Sequence, residues 1–335
     1  MNKWLIRSAK SVLSTAPSCL VSRRCPPPLP SRRAFASERP RDNSDPRIRD
    51  LGRQISDDYA ALRDSYASPK YPVVLAHGLL GFSELKVLEM LPAVQYWYGI
   101  KDALTEQGST VITASVPPSS SIEERAAKLG ADIAAQAPPN VPVNIIAHSM
   151  GGLDARYMVA NLRPKGVRVA SLVTIATPHR GSAFADFLLD EQTAPIHLPK
   201  LYWALERTGL GTRAFAQLTR RYLTEEFNSA TKDIPGVQYY SYGASLTQPP
   251  PLLSPFRQSH RIISQAEGPN DSLVSVDSSR WGTYKGTLVG VSHLDLINWS
   301  NRMRWTLREL MGMKKTFNAV AFYLDIADML AKEGL

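Results

Sequence analysis

The chain has 335 residues, 44% of them hydrophobic, with only two cysteines and a formal net charge of +9. That length is enough for one domain with a sizeable core. No run approaches the ~18 consecutive apolar residues of a membrane-spanning helix, and both cysteines, Cys19 and Cys25, fall so early that no disulfide framework holds the rest together.

The charge is concentrated at the start. Residues 1–37 contain seven basic side chains (Lys3, Arg7, Lys10, Arg23, Arg24, Arg32 and Arg33) and no acid before Glu38, so the remainder carries only about +2. A nucleic-acid surface is therefore not expected. An amphipathic start that contains Arg and Ser and lacks acids is the composition of a mitochondrial transit peptide. A secretory signal needs an unbroken apolar run, and Arg7 and Lys10 interrupt this one. Arg33-Ala34-Phe35-Ala36-Ser37 resembles a matrix-processing site cut after Phe35, and the expected location is mitochondrial. The competing reading is a disordered basic tail, against which the bias ends sharply at Glu38. Residues 38–69 then read as an N-terminal linker and 70–335 as the folded domain.

From residue 70 the periodicity alternates. Strand 71–76, a helix over about 96–107, strand 110–114, helix 121–136, strand 141–147, helix 150–162 and strand 168–175 follow one another. Such βαβ alternation predicts an α/β fold with a mostly parallel central sheet and helices on both faces. Further strands are expected at 236–242, 259–264 and 285–290. Residues 183–232 break the pattern, mixing apolar and charged residues at helical spacing, and read as a helical cap or lid insertion. Whether that cap opens against lipid or is fixed over the core is left open by the sequence.

Chemistry enters with AHSMGG at 147–152, preceded by the apolar run 141–146. A serine exposed on a sharp strand-to-helix turn needs small neighbours two positions away on either side, here Ala147 and Gly151 around Ser149. By itself the motif reads equally as a nucleophile or as the cap of a helix. A nucleophilic serine also needs a histidine to take its proton and an acid to orient that histidine. His179, His197, His260 and His293 lie downstream, and His293 sits in a loop after a strand-like segment. GPNDSLVSVDSS at 268–279 supplies Asp271 at a turn, with Asp277 as a competitor that reads better as a surface carboxylate. The Ser149, Asp271, His293 order matches the nucleophile–acid–base order of the hydrolases built on such turns. The strand ending at His77-Gly78 can direct the amide of Leu79 to the site, and the amide of Met150 follows the nucleophile, so these two are the expected oxyanion donors. His77 and His148 read as structural, as do Thr177, Pro178 and His179 at the rim.

YPVVLAHGLLGF, YWYGIKDAL, AHSMGGLDARYM, ATPHRGSAFADF, NDSLVS and HLDLINW together resemble the true lipases of the Pseudomonas and Burkholderia type. GSTVITASVPPSSSIEERA and NDSLVSVDSSRWGTYKGTL extend the likeness to fungal mitochondrial triacylglycerol lipases, over residues 70–330. The resemblance implies an α/β-hydrolase fold, the same Ser149, Asp271, His293 triad, and the Leu79 and Met150 amides. It implies hydrolysis of acylglycerol esters at a lipid–water interface, with peripheral contact to a membrane or lipid droplet and an oligomeric state left open. A phospholipase or broad carboxylesterase on the same triad is the near alternative. A catalytically inactive lipid-binding scaffold is the alternative of another class. No cofactor is expected. The bacterial members bind calcium through two aspartates and a glutamine; here Asp295 matches one aspartate, Trp299 stands at the glutamine position, and 244–267 contains no aspartate. With one carboxylate for an ion that wants several oxygen ligands, no metal is expected, and Asp295 is read as fixing the loop that carries His293.

Overall fold

The computed structural model describes residues 53–79, 96–190, 212–298 and 317–335. All of them belong to the compact unit Asn43–Leu335. Residues 1–37, read as a leader, and 191–211, in the segment read as a cap, lie outside the described residues.

Among the described residues, strands β1 (Gln54–Ile55), β2 (Val73–Ala76), β3 (Val111–Thr113), β4 (Val143–His148), β5 (Val169–Ile175), β6 (Gln238–Ser245) and β7 (Thr283–Val289) form one sheet in the order β1-β7-β6-β5-β4-β2-β3. Every pairing is parallel. Because side chains alternate across a strand, cross-strand rows alternate between two cores. The row Leu75, Ile146, Val173, Tyr240 faces helices α1 (Ile100–Glu106) and α9 (Ala319–Lys332). The row Val74, Ile145, Leu172, Tyr239 faces α2 (Ile122–Gln136) and α3 (Gly151–Tyr157). Strands buried on both faces read as apolar runs, which is why β2, β4 and β5 stand out in the sequence.

Three elements depart from the sequence reading. Residues 259–264, expected as a strand, lie within a helix spanning Arg257–Ala266, whose buried side chains Ser259, His260 and Ile263 recur at helical spacing. The segment read as linker, 38–69, contributes β1, where Ile55 is buried and the backbone pairs with Thr287 and Leu288 of β7. The C-terminal α9 carries no clear apolar stripe because it is buried nearly all round: Phe322 meets Tyr59, Tyr242 and Phe317 at ring distances of 5.1, 5.1 and 5.8 Å. No helix among the described residues is long and apolar enough to cross a membrane.

The chain runs from β2 outward to β3, then returns across β2 to β4 and proceeds the other way. At such a reversal the loops leaving the two adjacent strands diverge and open a crevice at their carboxyl ends. Here the two loops are 77–79 and the turn at Ser149, whose strands pair Ala76 with Ala147.

A buried cation secures this edge. Arg125, fully buried on α2, donates from Nε to Asp154 Oδ2 of α3 (2.9 Å), from Nη1 to the Pro117 carbonyl (2.7 Å) and from Nη2 to the His77 carbonyl (2.9 Å). Removing one partner of such a pair leaves a buried charge, at a cost of about 3–5 kcal/mol. His77 itself accepts from the Val116 amide at Nε2 (3.2 Å), so its Nδ1–H donates to the Gly78 carbonyl (3.0 Å).

Burial lowers the His77 imidazole to about 4, with Arg125 adding to the effect against the Gly78 carbonyl. An unfolded histidine titrates near 6.5, so between pH 6.5 and 4 the unfolded chain takes up a proton that the folded chain refuses. This contribution to stability, of about 3 kcal/mol, is complete above pH 6.5 and is lost as pH falls to 4. Urea unfolding at pH 7 and pH 4.5 should show the loss in the wild type and a shallower one in His77→Gln; equal losses would rule His77 out as the source.

Candidate active site

Ser149 occupies the turn between β4 and α3 with a φ of +56°, a left-handed conformation that costs a non-glycine residue about 1–3 kcal/mol. Neighbouring backbone holds it there. Its N–H donates to the Ile175 carbonyl (2.9 Å) and its carbonyl accepts from Thr177 Oγ1 (2.8 Å). A Cβ on Gly151 would lie 2.6 Å from the Ala76 carbonyl oxygen, and one on Gly78 would lie 2.7 Å from the Ser149 Cβ. Glycine is thus required where the turn presses on β2 and its loop. Ala147, in the position where many such turns carry glycine, points its methyl into the core beside Ala76 and is accommodated.

Asp271 and His293 meet. His293 Nδ1–H donates to Asp271 Oδ2 at 2.7 Å, and the His293 amide donates to the Asp271 carbonyl at 3.0 Å. Asp271 Oδ1 accepts from the amides of Leu273 (2.9 Å) and Val274 (2.8 Å), so the fully buried carboxylate has both oxygens satisfied. With Nδ1 committed as a donor, Nε2 of a neutral His293 is the acceptor nitrogen. Asp277, the competing acid, has a side chain 57% exposed and lies 3.5 Å from Arg280.

Ser149 and His293 approach through their neighbours. The ring of His148, the residue before Ser149, lies 4.5 Å from that of His293. Tyr96 ties this group to the first loop: its hydroxyl accepts from the Gly78 amide (3.0 Å) and donates to His148 Nδ1 (2.7 Å). Burial raises the Tyr96 hydroxyl pKa and drives His148 far below the ordinary histidine value, with His293 pushing His148 the same way. Tyr96 therefore stays a donor and His148 stays neutral. The structural reading of His77 and His148 agrees with these bonds. Tyr96 was not singled out by sequence, because 52 residues separate it from His148 and one phenol among thirteen carries no local sign of its role.

The two expected oxyanion donors share one apolar cluster, in which Leu79 packs with Met150, Leu153 and Ile122. Neither the Leu79 nor the Met150 N–H has an acceptor among the described residues. Met150 is the cap of α3, whose first amides have no intrahelical partner. Ala214, Leu223 and Phe227, from the described C-terminal part of the segment read as a cap, belong to the same cluster. His179 is buried between Arg156 (3.2 Å), Thr174 (3.0 Å) and the face of Trp281, a structural position. His260 lies on the helix Arg257–Ala266, and His197 falls outside the described residues.

Asp295 accepts at Oδ2 from the amide (3.0 Å) and hydroxyl (2.6 Å) of Ser292, bracing the turn that presents His293. The described side chains do not fit a calcium site. Among the described residues no three His, Cys, Asp or Glu side chains gather where an ion could sit, and Asp295 spends an oxygen on its own loop. A cavity of about 580 Å³ is lined by Asp271, Ser292 and His293 together with Pro249–Pro251 and Phe256. A serine on a strained turn, a buried base–acid pair packed on the neighbouring His148, and two amides without an acceptor among the described residues form an arrangement suited to acyl transfer.

A family model described as a PGAP1-like alpha/beta domain matches residues 120–195, the stretch that contains the Ser149 turn. Among solved structures, Staphylococcus hyicus lipase aligns with a TM-score of 0.56 at 21% identity, over 81% of this chain and 98% of that one. A metagenomic carboxyl esterase aligns at 0.59 and 18% identity, over 82% and 79%. At these identities the likeness establishes the α/β-hydrolase fold. Curated relatives are closer in sequence. Triacylglycerol lipase of Burkholderia plantarii is 31% identical over 71% of this chain and 82% of its own length. Triacylglycerol lipase 2 of Saccharomyces cerevisiae is 34% identical over 83% of this chain and 96% of its own. With that identity sustained across nearly the whole yeast protein, on a fold that joins Asp271 to His293 beside a strained serine turn, the chain belongs to the triacylglycerol lipase family.

Proposed function

We propose that this hydrolase cleaves the ester bonds of tri- and diacylglycerols through an acyl-enzyme on Ser149. The observation that carries the reading is the 2.7 Å bond from His293 to a buried Asp271 next to the left-handed Ser149 turn, in a chain whose curated relatives are named as triacylglycerol lipases.

In this mechanism His293 Nε2 takes the proton of Ser149 as Oγ attacks the ester carbonyl. Asp271 stabilises the imidazolium that forms. The amides of Leu79 and Met150 donate to the tetrahedral oxyanion, a contribution worth about 2.7–4 kcal/mol per donor in comparable enzymes. As the intermediate collapses, His293 returns the proton to the departing glycerol oxygen. Water, activated by the same nitrogen, then attacks the acyl carbonyl, and Ser149 leaves with the proton.

We further propose that residues 1–37 direct the enzyme to mitochondria. The support is their seven basic residues, the absence of any acid, and the Arg33–Ser37 stretch.

Three measurements test these readings. Ser149→Ala should lose fluorophosphonate labelling and at least roughly 10⁴-fold in kcat, and Asp271→Asn about 10⁴-fold, with KM nearly unchanged; a Ser149→Ala chain that still labels or turns over removes the mechanism, and a wild type that never labels points to an inactive lipid-binding protein. Rates on emulsified triacylglycerol, diacylglycerol, phospholipid and short soluble esters should be highest on the emulsified acylglycerols; highest rates on phospholipid or on soluble esters would replace the assignment with a phospholipase or a carboxylesterase. A fluorescent protein fused behind residues 1–37 should enter mitochondria and lose the leader, and a fusion that stays in the cytosol refutes the targeting role.

A further inference from the structure

The loop between β6 and the helix Arg257–Ala266 carries a feature that the catalytic mechanism does not use. Leu252 and Leu253 are 80% and 96% exposed, the two most exposed large apolar side chains among the described residues. Single exposed leucines are ordinary, but an adjacent pair on a braced tip is not explained by chance exposure. The loop is braced. Pro249, Pro250 and Pro251 restrict its backbone, Arg257 Nη1 donates to the Pro250 carbonyl (2.6 Å), and the Ser254 amide donates to the Pro251 carbonyl (2.9 Å).

Two further observations say what this tip meets. The whole stretch 244–266 contains no carboxylate, while Arg257 and Arg261 stand exposed on the helix that follows the loop. The base of the same loop, Pro249–Pro251, is a wall of the cavity that reaches His293 and Asp271. An apolar tip flanked by cations and free of acids complements a lipid surface carrying anionic headgroups. Its continuity with the cavity wall would bring such a surface to the edge of the site.

We propose that the 246–256 loop is an interfacial docking element, in which Leu252 and Leu253 insert into a lipid surface and Arg257 and Arg261 lie against its anionic headgroups. The inference rests on the lipase reading for its purpose, though not for its test. Because the tip is preorganised, little ordering cost opposes insertion. Burial of each leucine is expected to be worth about tenfold or more in partitioning.

The test uses the full-length chain, whose basic leader is common to all variants, with Ser149→Ala as background for binding so that lipid is not consumed. Flotation is measured with phosphatidylcholine vesicles, with vesicles containing about one-third phosphatidylglycerol, and with triolein emulsion. Leu252→Ser/Leu253→Ser should weaken partitioning at least tenfold on all three surfaces. Arg261→Gln should weaken it several-fold on the anionic vesicles alone, and less so at high salt. With Ser149 intact, the double leucine variant should lose emulsion hydrolysis in proportion while kcat/KM on a soluble short ester stays within about twofold. Unchanged partitioning of the double variant overturns the proposal. So does an equal loss on the soluble ester, which would make the pair part of the cavity wall, and so does a wild-type dimer that the variant dissociates with vesicle binding intact. A wild type that partitions through the leucines yet hydrolyses neither substrate upholds the docking element and removes the lipase reading instead.

Discussion

Ser149 is held in a conformation that an L-residue does not choose. Its +56° φ is stabilised from three sides: by the Ile175 carbonyl, by Thr177, and by the close backbone approach of Gly151 to β2. Strain of this kind persists only where the surroundings over-determine it. Here the surroundings are the carboxyl ends of three adjacent parallel strands. The turn depends on the sheet, and the position of every other group at the site is set relative to the turn.

A layer of buried polar bonds transmits that constraint. Tyr96 joins the Gly78 amide to His148, His148 lies against His293, and His293 is bonded to Asp271. Arg125 holds the His77 carbonyl from below while Asp154 neutralises it. The neutral state that burial imposes on His77 and His148 keeps added positive charge away from the base. The His293–Asp271 pair is therefore flanked by two histidines that stay uncharged.

Sequence made the parallel α/β order legible because strands buried on both faces are continuous apolar runs. It failed at 259–264, where Ile262 and Ile263 read as strand in isolation while the buried face at Ser259, His260 and Ile263 is helical. It passed over β1, too short for any period to show, and α9, whose apolar residues surround the helix instead of forming a stripe. In the site, Ser149, Asp271 and His293 could be picked out by type and order, whereas Tyr96 could not.

The sequence by itself determined the chemistry on offer: a serine between small residues, an acid at an Asx-type turn, a histidine after the last strand, and a family likeness joining them in order. Only the tertiary structure decided that Asp271 and not Asp277 meets His293, that Asp295 braces the Ser292 turn, and that Leu252 and Leu253 stand in solvent beside the cavity. The physical reason is that residue type and local periodicity reside in the chain. Pairing across tens of residues, the burial that sets a protonation state, and the exposure of a loop tip exist only once the strands have aligned.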